Sequence, residues 1–205
     1  EVIKNTSYDQ FYDEHAYVFS VLALNNLLKE TELQIFDIEK LTTHGGSNRF
    51  FIKKMRSNKK INYSVLKIIN EELEMGMDKF ETYQKFAQNV INSKNETIKI
   101  FTELKKNNAK IIGYGATYKS STILNYCGLD TKFIDYFTDT TENKQGKFTP
   151  GTHIPIIKPA DGIDSEIGYV FLGAWNFKKE IFNKEKKFIE RGGKFISHVP
   201  FPQII

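Results

Sequence analysis

The sequence predicts an α/β protein whose carboxyl-terminal part is built on a doubly wound parallel sheet. From Ala109 onward, short apolar runs alternate with helical patterns. Several of these runs are apolar at consecutive positions, which is typical of strands buried on both faces. The first run leads into glycines at Gly113 and Gly115. Strands that alternate with helices in this way indicate parallel pairing, with helices on both sides of the sheet.

Each element of this part follows from its own pattern. Runs of branched and aromatic residues bounded by turn residues indicate strands, and an apolar period near 3.6 indicates helices. Gly192 and Gly193 follow the last helix as a carboxyl-terminal stop. The predicted strands are residues 110–115, 133–138, 153–157, 168–174 and 194–199, and the predicted helices are residues 117–126 and 176–191.

Two further segments precede this sheet. Residues 61–107 carry helical apolar stripes throughout, with a break expected at Gly76. Before them, residues 18–28 show a helical period and are followed by two alternating segments. We therefore expect linker helices, preceded by one helix and an antiparallel strand pair. The predicted strands are residues 32–41 and 48–53, joined by turn residues 44–47.

Composition places the chain among globular proteins. Its 205 residues are 40% hydrophobic and 14% aromatic, which is sufficient for a buried core. The run at residues 168–175 is too short to span a bilayer, and the polar first residues do not resemble a secretory signal. The single cysteine, Cys127, excludes a disulfide framework and a cysteine-rich zinc site within this chain. We expect a cytoplasmic protein with no membrane partner and no metal site in these residues.

The net charge of +4 is mild. Lysines such as those in residues 178–187 are spread along a helical pattern, which is typical of a solvated face and not of a nucleic-acid site. A modest positive field nevertheless suits a small phosphorylated substrate. The chain begins at Glu1 without an initiator methionine, so we expect it to be part of a longer protein.

The turn at residues 113–121 occupies the place where a Rossmann fold keeps its phosphate loop. Glycines allow a close backbone approach, and the start of a helix favours negative charge. The third glycine of that fingerprint is absent, because position 118 is Tyr. This turn alone leaves open an NAD-type oxidoreductase domain, a domain for a different nucleotide, or a tight turn without ligand. The candidate contacts are Gly115, Thr117, Lys119 and Ser120.

A second polar cluster lies at residues 7–15, where three carboxylates, two tyrosines and a histidine fall within nine positions. A histidine beside carboxylates is suited to taking up a proton near neutral pH. Tyr12 is suited to donating a hydrogen bond to an enolate oxygen. The same residues also fit the polar cap of a following helix, so the cluster by itself does not decide between catalysis and structure.

Seven motifs, in order along nearly the whole chain, resemble the nucleotide-sugar C-methyltransferases, enzymes that make branched deoxysugars. Any one of the motifs is weak, but the set in this order is specific. They are SYDQFYDEH at residues 7–15, HGGS at 44–47, GYGATYKSS at 113–121, LNYCG at 124–128, KQG at 144–146, TPGTHIP at 149–155 and AWNF at 174–177.

The resemblance implies a three-part protein with a zinc-binding domain, a methyltransferase domain that holds S-adenosylmethionine, and a Rossmann-like domain that binds the nucleotide of the sugar. Residues 1–55 are then the end of the methyltransferase domain, residues 56–108 linker helices, and residues 109–205 the sugar-nucleotide domain. The chain lacks an acidic-Gly-x-Gly loop and a cysteine cluster. The resemblance therefore implies that the S-adenosylmethionine site lies mostly, and the zinc site wholly, in a part of the protein upstream of this chain.

The resemblance also implies a mechanism. A base removes the proton next to a 4-keto group, and the resulting enolate carbon attacks the methyl group of the donor. Carried over by motif, His15 is the base, Glu14 orients it, and Tyr12 lies near the developing oxyanion. The family's usual substrate implies a dTDP-type sugar nucleotide, and the Tyr at position 118 suggests an altered sugar preference.

Under the same resemblance the nucleotide is bound at the carboxyl edge of the sheet, where ligands of open α/β sheets gather. The glycine-turn residues contact the diphosphate there. The further candidate contacts are Asp139, Thr140, Lys144 and Asn176.

Two rival functions remain beside the methyltransferase. An NAD-dependent oxidoreductase domain would bind NAD at residues 113–121, but it gives no role to residues 12–15. A non-catalytic module that senses nucleotide sugars would tolerate the loss of His15 without loss of turnover.

Overall fold

The computed structural model describes residues 1–160 and 163–205. Within them, the contacts divide the chain into two compact units. A short amino-terminal segment belongs with the carboxyl-terminal part, and the long helix α4 (Phe80–Lys106) contributes residues to both units. The first unit consists of Glu1 and residues 16–88, and the second consists of residues 2–15 and 89–205. The division predicted from the sequence, at residues 55 and 108, concerns family domains and stays a prediction.

The first unit holds the helix and the antiparallel strand pair that the sequence predicts. Ser20 caps α2 by accepting a hydrogen bond from the backbone of Ala23 at 3.0 Å. Glu72 on α3 accepts from the amides of Val21 and Leu22 at the same helix end. The core consists of Val21, Leu28, Ile35, Ile38, Val65 and Ile68. The elements are α2 (Val21–Leu28), β1 (Leu33–Leu41), β2 (Ser47–Lys54), α3 (Tyr63–Glu74) and the start of α4 (Phe80–Lys106).

The second unit is a six-stranded sheet with the order β5-β4-β3-β6-β7-β8. All neighbouring strands are parallel except β7 and β8. The α/β class with a Rossmann-like, mostly parallel sheet is therefore confirmed. The elements, besides α1 (Val2–Asn5), are β3 (Ile111–Tyr114), α5 (Tyr118–Cys127), β4 (Phe137–Thr138), β5 (Ile156–Ile157), β6 (Tyr169–Leu172), α6 (Lys178–Lys184), α7 (Lys186–Glu190), β7 (Lys194–Ser197) and β8 (Gln203–Ile204).

The strand order fixes where a ligand is expected. The chain runs from β3 outward to β4 and β5, then crosses to β6 on the other side of β3. Open α/β sheets bind ligands at the carboxyl ends of the strands beside such a switch point. Aromatic side chains fill the core beneath it: the ring of Phe171 meets those of Phe101 and Phe137 edge-on, with centroids 5.7 and 6.3 Å away.

Four predicted elements differ from the structure. The strand predicted at 153–157 is only Ile156–Ile157, because the amide of His153 bonds to the carbonyl of Thr149 in a turn. The strand predicted at 133–138 is only Phe137–Thr138, because the amides of Phe133 and Ile134 both bond to the carbonyl of Asp130 in a turn. The helix predicted at 176–191 breaks at Glu185, whose buried side chain accepts a hydrogen bond from the hydroxyl of Tyr114 at 3.0 Å.

The last predicted strand, 194–199, ends at Ser197. The Ser197 hydroxyl donates to the carbonyl of Val199 at 2.9 Å, and the chain returns as the antiparallel β8. None of the helices in the described part of the chain is long and apolar enough to cross a membrane.

Candidate functional site

The glycine turn connects β3 to α5 at the switch point of the sheet. Gly115 has φ +84°, and a Cβ there would come 2.7 Å from Cβ of Ala174, after the end of β6. Only glycine fits such a position without strain. The Thr117 hydroxyl donates to the carbonyl of Gly173 at 3.1 Å. The turn is therefore held tightly against the loop that follows β6.

Thr117 and Ser120 form a reciprocal capping box at the start of α5. The Thr117 hydroxyl accepts from the amide of Ser120 at 3.1 Å, and the Ser120 hydroxyl accepts from the amide of Thr117 at 2.9 Å. Ser120 is fully buried. In this structure both hydroxyls are used to shape the turn, and their contact with a substrate stays a prediction.

Lys119 lies within the same helical turn and is unusually buried for a lysine, at 5% exposed. Its Nζ is 4.7 Å from the ring centroid of Trp175 and 3.5 Å from Oδ1 of Asn176. Burial lowers the pKa of the Lys119 ammonium, and the negative charge of Asp9 only partly opposes this. The structure thus brings two predicted residues, Lys119 and Asn176, to one point at the carboxyl edge.

Asp139 and Lys144 lie beyond the end of β4. The Asp139 carboxylate accepts from the amide of Thr141 at 2.8 Å and lies 3.3 Å from Nζ of Lys144. The Lys144 ammonium also donates to the carbonyl of Ala116 at 2.9 Å. Lys144 therefore ties the glycine turn to the end of the next strand, and both predicted residues lie at the predicted edge.

Thr140 is exposed and lines an open cleft of about 430 Å³ at this edge. Two lysines, Lys158 and Lys184, and two glutamates, Glu142 and Glu185, lie in its wall, so the charges of the described lining balance. A cleft of this size suits a small ligand. Its lining in the described residues is Thr140, Glu142, Gln145, Lys158, Pro159, Ala160, Lys184 and Glu185.

The amino-terminal segment packs against α5 in the second unit. Residues 6–10 are all buried, although most of them are polar. The Tyr8 ring meets that of Tyr126 edge-on at 5.5 Å. The Thr122 hydroxyl donates to the carbonyl of Phe11 at 3.3 Å. These contacts fix the stretch that leads to the predicted base.

Tyr12 and His15 form a hydrogen-bonded pair at the end of this segment. The backbone carbonyl of Gln10 lies 2.8 Å from Nδ1 of His15, and the Tyr12 hydroxyl lies 2.9 Å from Nε2. A carbonyl can only accept, so Nδ1 carries the proton in the neutral ring and Nε2 carries the lone pair. The Tyr12 hydroxyl therefore donates to Nε2, which is the atom available to act as a base.

The Tyr12 ring also connects the base to the glycine turn. It stacks on Tyr118, with centroids 5.5 Å apart and the planes at 13°. Burial raises the pKa of Tyr12, and the charge of Glu14 adds to this, so the phenol remains a hydrogen-bond donor. Tyr118 is the residue that replaces the third fingerprint glycine, and its position next to Tyr12 is not evident from the sequence.

Glu14 is exposed. In this structure the Nδ1 atom of His15 is oriented by the Gln10 carbonyl, so an orienting role for Glu14 stays a prediction. Cys127 is buried, and this burial raises the pKa of its thiol to about 11.

Sequence reasoning missed one buried polar group of this site. Oδ2 of Asp9 accepts from Nε1 of Trp175 at 2.5 Å and lies 3.2 Å from Nε2 of His198. Asp9 and His198 are 0% and 1% exposed at their side chains. Two sequence features could have identified this pair: Asp9 lies inside the polar cluster at residues 7–15, and His198 lies near the end of the predicted strand 194–199.

All of the predicted site residues fall in the second unit. His44 belongs to the first unit, where it is exposed in the loop between β1 and β2. Across the described ranges, 1–160 and 163–205, no group of three or more His, Cys, Asp or Glu is placed to hold a metal ion.

Residues 42–200 match the family model of the C-methyltransferase C-terminal domain. The chain is 33% identical over 205 residues to the C-methyltransferase NovU of Streptomyces niveus. This alignment covers 100% of the chain and 49% of NovU, so the chain spans about half the length of that relative.

Proposed function

This chain belongs to the family of the C-methyltransferase C-terminal domain, and we propose that it is the sugar-nucleotide-binding half of an S-adenosylmethionine-dependent C-methyltransferase. The substrate is a nucleotide-linked 4-keto-deoxysugar, which is methylated on the carbon next to the ketone through an enolate. One observation carries the proposal: the Nε2 lone pair of His15 and the hydroxyl of Tyr12 meet beside the start of α5.

The first step is removal of the proton next to the ketone. The Gln10 carbonyl holds Nδ1–H of His15, so Nε2 takes the substrate proton and the ring becomes an imidazolium. The electron pair of the broken C–H bond moves into the enolate. The Tyr12 hydroxyl, which donates to Nε2 in the absence of substrate, turns to the keto oxygen and stabilises its developing charge.

When bound, S-adenosylmethionine supplies an electrophilic methyl group to the enolate carbon. The only Gly-x-Gly of this chain, at residues 113–115, follows Ile112 instead of an acidic residue. These residues therefore do not fit a methyl-donor loop, and we assign most of the donor site to a part of the protein outside this chain. We likewise assign the expected zinc-binding domain to a part of the protein outside this chain. On this basis the chain alone binds sugar nucleotide but does not transfer methyl.

The substrate is held along the carboxyl edge of the sheet. Lys119 and the backbone at Gly115 contact the diphosphate, with Asn176 beside the ammonium. Asp139, Thr140 and Lys144, together with the cleft of about 430 Å³, receive the nucleoside. Thr117 and Ser120 keep the turn in the required shape. A dTDP-type nucleotide is the expected ligand.

Calorimetric titration of the chain with dTDP tests this proposal. We expect binding that weakens about tenfold in Lys119→Ala, because a charge-assisted contact is lost. Lys132→Ala, an exposed lysine away from the carboxyl edge, is the matched control and should bind as the unaltered chain does. S-adenosylmethionine titrated in parallel should give no signal.

NADH is the third titrant, because an oxidoreductase domain is the main alternative. Tight NADH binding without dTDP binding would overturn the methyltransferase proposal. A sensing module is tested in the complete protein, where a His15 variant that keeps full turnover would favour sensing over catalysis.

A further inference from the structure

The buried carboxylate of Asp9 has no assigned role in the proposed reaction. A charge in the protein interior is costly unless it is paired and hydrogen-bonded. Only one oxygen of Asp9 is paired: Oδ2 accepts a hydrogen bond from Trp175 and lies 3.2 Å from Nε2 of His198. The other oxygen, Oδ1, has no hydrogen-bond partner in the described part of the chain. Such an arrangement indicates a specific use for the charge.

The contacts of Asp9 lead directly to the predicted diphosphate site. Trp175 lies in a single 3-10 turn after β6, where its ring is half-buried. The carboxylate of Asp9 holds the Nε1 edge of this ring, and the face of the same ring lies 4.7 Å from Nζ of Lys119. The indole is therefore fixed at its edge by a negative group and attracts a positive group at its face.

We propose that Asp9 is a positioning residue for the nucleoside diphosphate: through the Trp175 ring it fixes the Lys119 ammonium at the carboxyl edge of the sheet. This inference rests on the proposed function, in which Lys119 contacts the diphosphate. Burial alone would raise the pKa of Asp9, but the neighbouring His198 imidazole, with Trp175 and Lys119, holds it below its ordinary value. Asp9 therefore stays charged at neutral pH.

A double-mutant cycle tests whether Asp9 acts on nucleotide binding through Lys119, with dTDP as the probe and calorimetry as the readout. We expect Asp9→Asn to weaken binding about fivefold, the size of a well-placed cation–π contact. In a Lys119→Ala background the same substitution should change nothing, because the ammonium that Asp9 positions is gone. Equal effects of Asp9→Asn in both backgrounds, or no effect in either, would overturn the inference.

The outcomes separate the inference from the proposed function. If Lys119→Ala weakens binding and Asp9→Asn does not, the inference alone is wrong. If Lys119→Ala leaves binding unchanged, the diphosphate site itself is wrong, and the inference is overturned with it.

A spectroscopic measurement distinguishes positioning from general destabilisation. Trp175 is the only tryptophan of the chain, so all tryptophan emission comes from the ring that Asp9 contacts. Excitation moves electron density away from the Nε1 side of indole, and a nearby carboxylate stabilises that state. Asp9→Asn should therefore shift the emission to shorter wavelength. The control Asp135→Asn, an exposed carboxylate before β4, should not shift it.

A second variant covers the case in which Asp9→Asn does not fold. Trp175→Phe keeps an aromatic face and removes only the Nε1–H donor and the second ring. We expect it to fold and to weaken dTDP binding about threefold or more. Binding as tight as in the unaltered chain would overturn the inference.

Discussion

The hydroxyl oxygen of Tyr12 lies 2.9 Å from Nε2 of His15, and the two rings are 4.0 Å apart at an angle of 31°. The phenol thus occupies the lone pair that the proposed reaction uses. Under the proposed mechanism, a ketone that draws the hydroxyl away exposes the Nε2 lone pair when the substrate is in place. The proposal therefore couples binding of the substrate to activation of the base through one hydrogen atom.

Replacement of these two side chains should affect the reaction and not the binding of nucleotide. In the complete protein we expect His15→Gln to lower kcat about 100-fold or more, because the proton acceptor is lost. Tyr12→Phe should lower it about tenfold to a hundredfold, because a phenylalanine cannot stabilise the enolate oxygen. Methyl transfer to a nucleotide-linked keto-sugar is the measurement, with dTDP affinity as the control. Unchanged kcat in His15→Gln would contradict the assigned base.

The stack of Tyr118 on Tyr12 should contribute to the placement of the base. Tyr118→Ala removes the ring, and we expect kcat to fall about threefold to tenfold, which corresponds to the energy of one aromatic pair. Tyr118→Phe keeps the ring and should retain nearly full turnover. A loss of equal size in both variants would mean that the hydroxyl matters and the stack does not.

Gly115→Ala and Gly128→Ala are a matched pair of substitutions whose effects on the free energy of unfolding can be compared. Both glycines have positive φ, +84° and +65°, but only Gly115 faces a neighbour that a Cβ would strike. Gly128→Ala should cost about 1 kcal/mol from backbone strain alone. Gly115→Ala should cost about 2–4 kcal/mol, because the collision with Ala174 adds to the strain. Denaturant titration measures both, and equal costs would contradict the close packing of the glycine turn.

The contribution of Asp9 to stability should depend on pH. Its pKa in the folded chain lies below the ordinary value of 3.8, so the unfolded chain binds the proton more tightly. The stabilisation is therefore complete above that value and is lost as the pH falls through the folded pKa. Asp9→Asn should destabilise the chain by about 1–3 kcal/mol at neutral pH.

Unfolding free energies of the unaltered chain and of Asp9→Asn, measured between about pH 3 and pH 7, check this prediction. The difference between the two should shrink toward the acid end. A difference that stays constant over the whole range would show that the charge of Asp9 contributes nothing to stability.

Local patterns were sufficient to predict much of the sheet. The apolar run into Gly113 and Gly115 predicted β3 and the turn before α5, because a buried parallel strand and a glycine turn each have a local signature. The helix break at Glu185 has no such signature. There the buried Glu185 side chain accepts a hydrogen bond from the hydroxyl of Tyr114, far away in sequence, and no periodicity encodes that contact.

The same distinction holds for the candidate site. The chemical character of Lys119 and His15 is visible in the sequence, since each lies in a cluster of polar residues. The contacts of Asp9 with Trp175 and His198 cannot be read from the sequence, because they join three parts of the chain through tertiary packing. Sequence therefore indicated the candidate groups Lys119 and His15, whose roles stay predictions, but not the buried contacts of Asp9.

The compact unit that carries the site is discontinuous along the chain, since residues 2–15 belong with residues 89–205. A chimera that exchanges only residues 89–205 between relatives would receive a foreign glycine turn but keep its own His15, the proposed base. Such a hybrid would also lose the match between Asp9 and the ring of Trp175 wherever the two parents differ. Under the proposed function, sugar preference is expected to transfer between relatives only when both stretches are exchanged together.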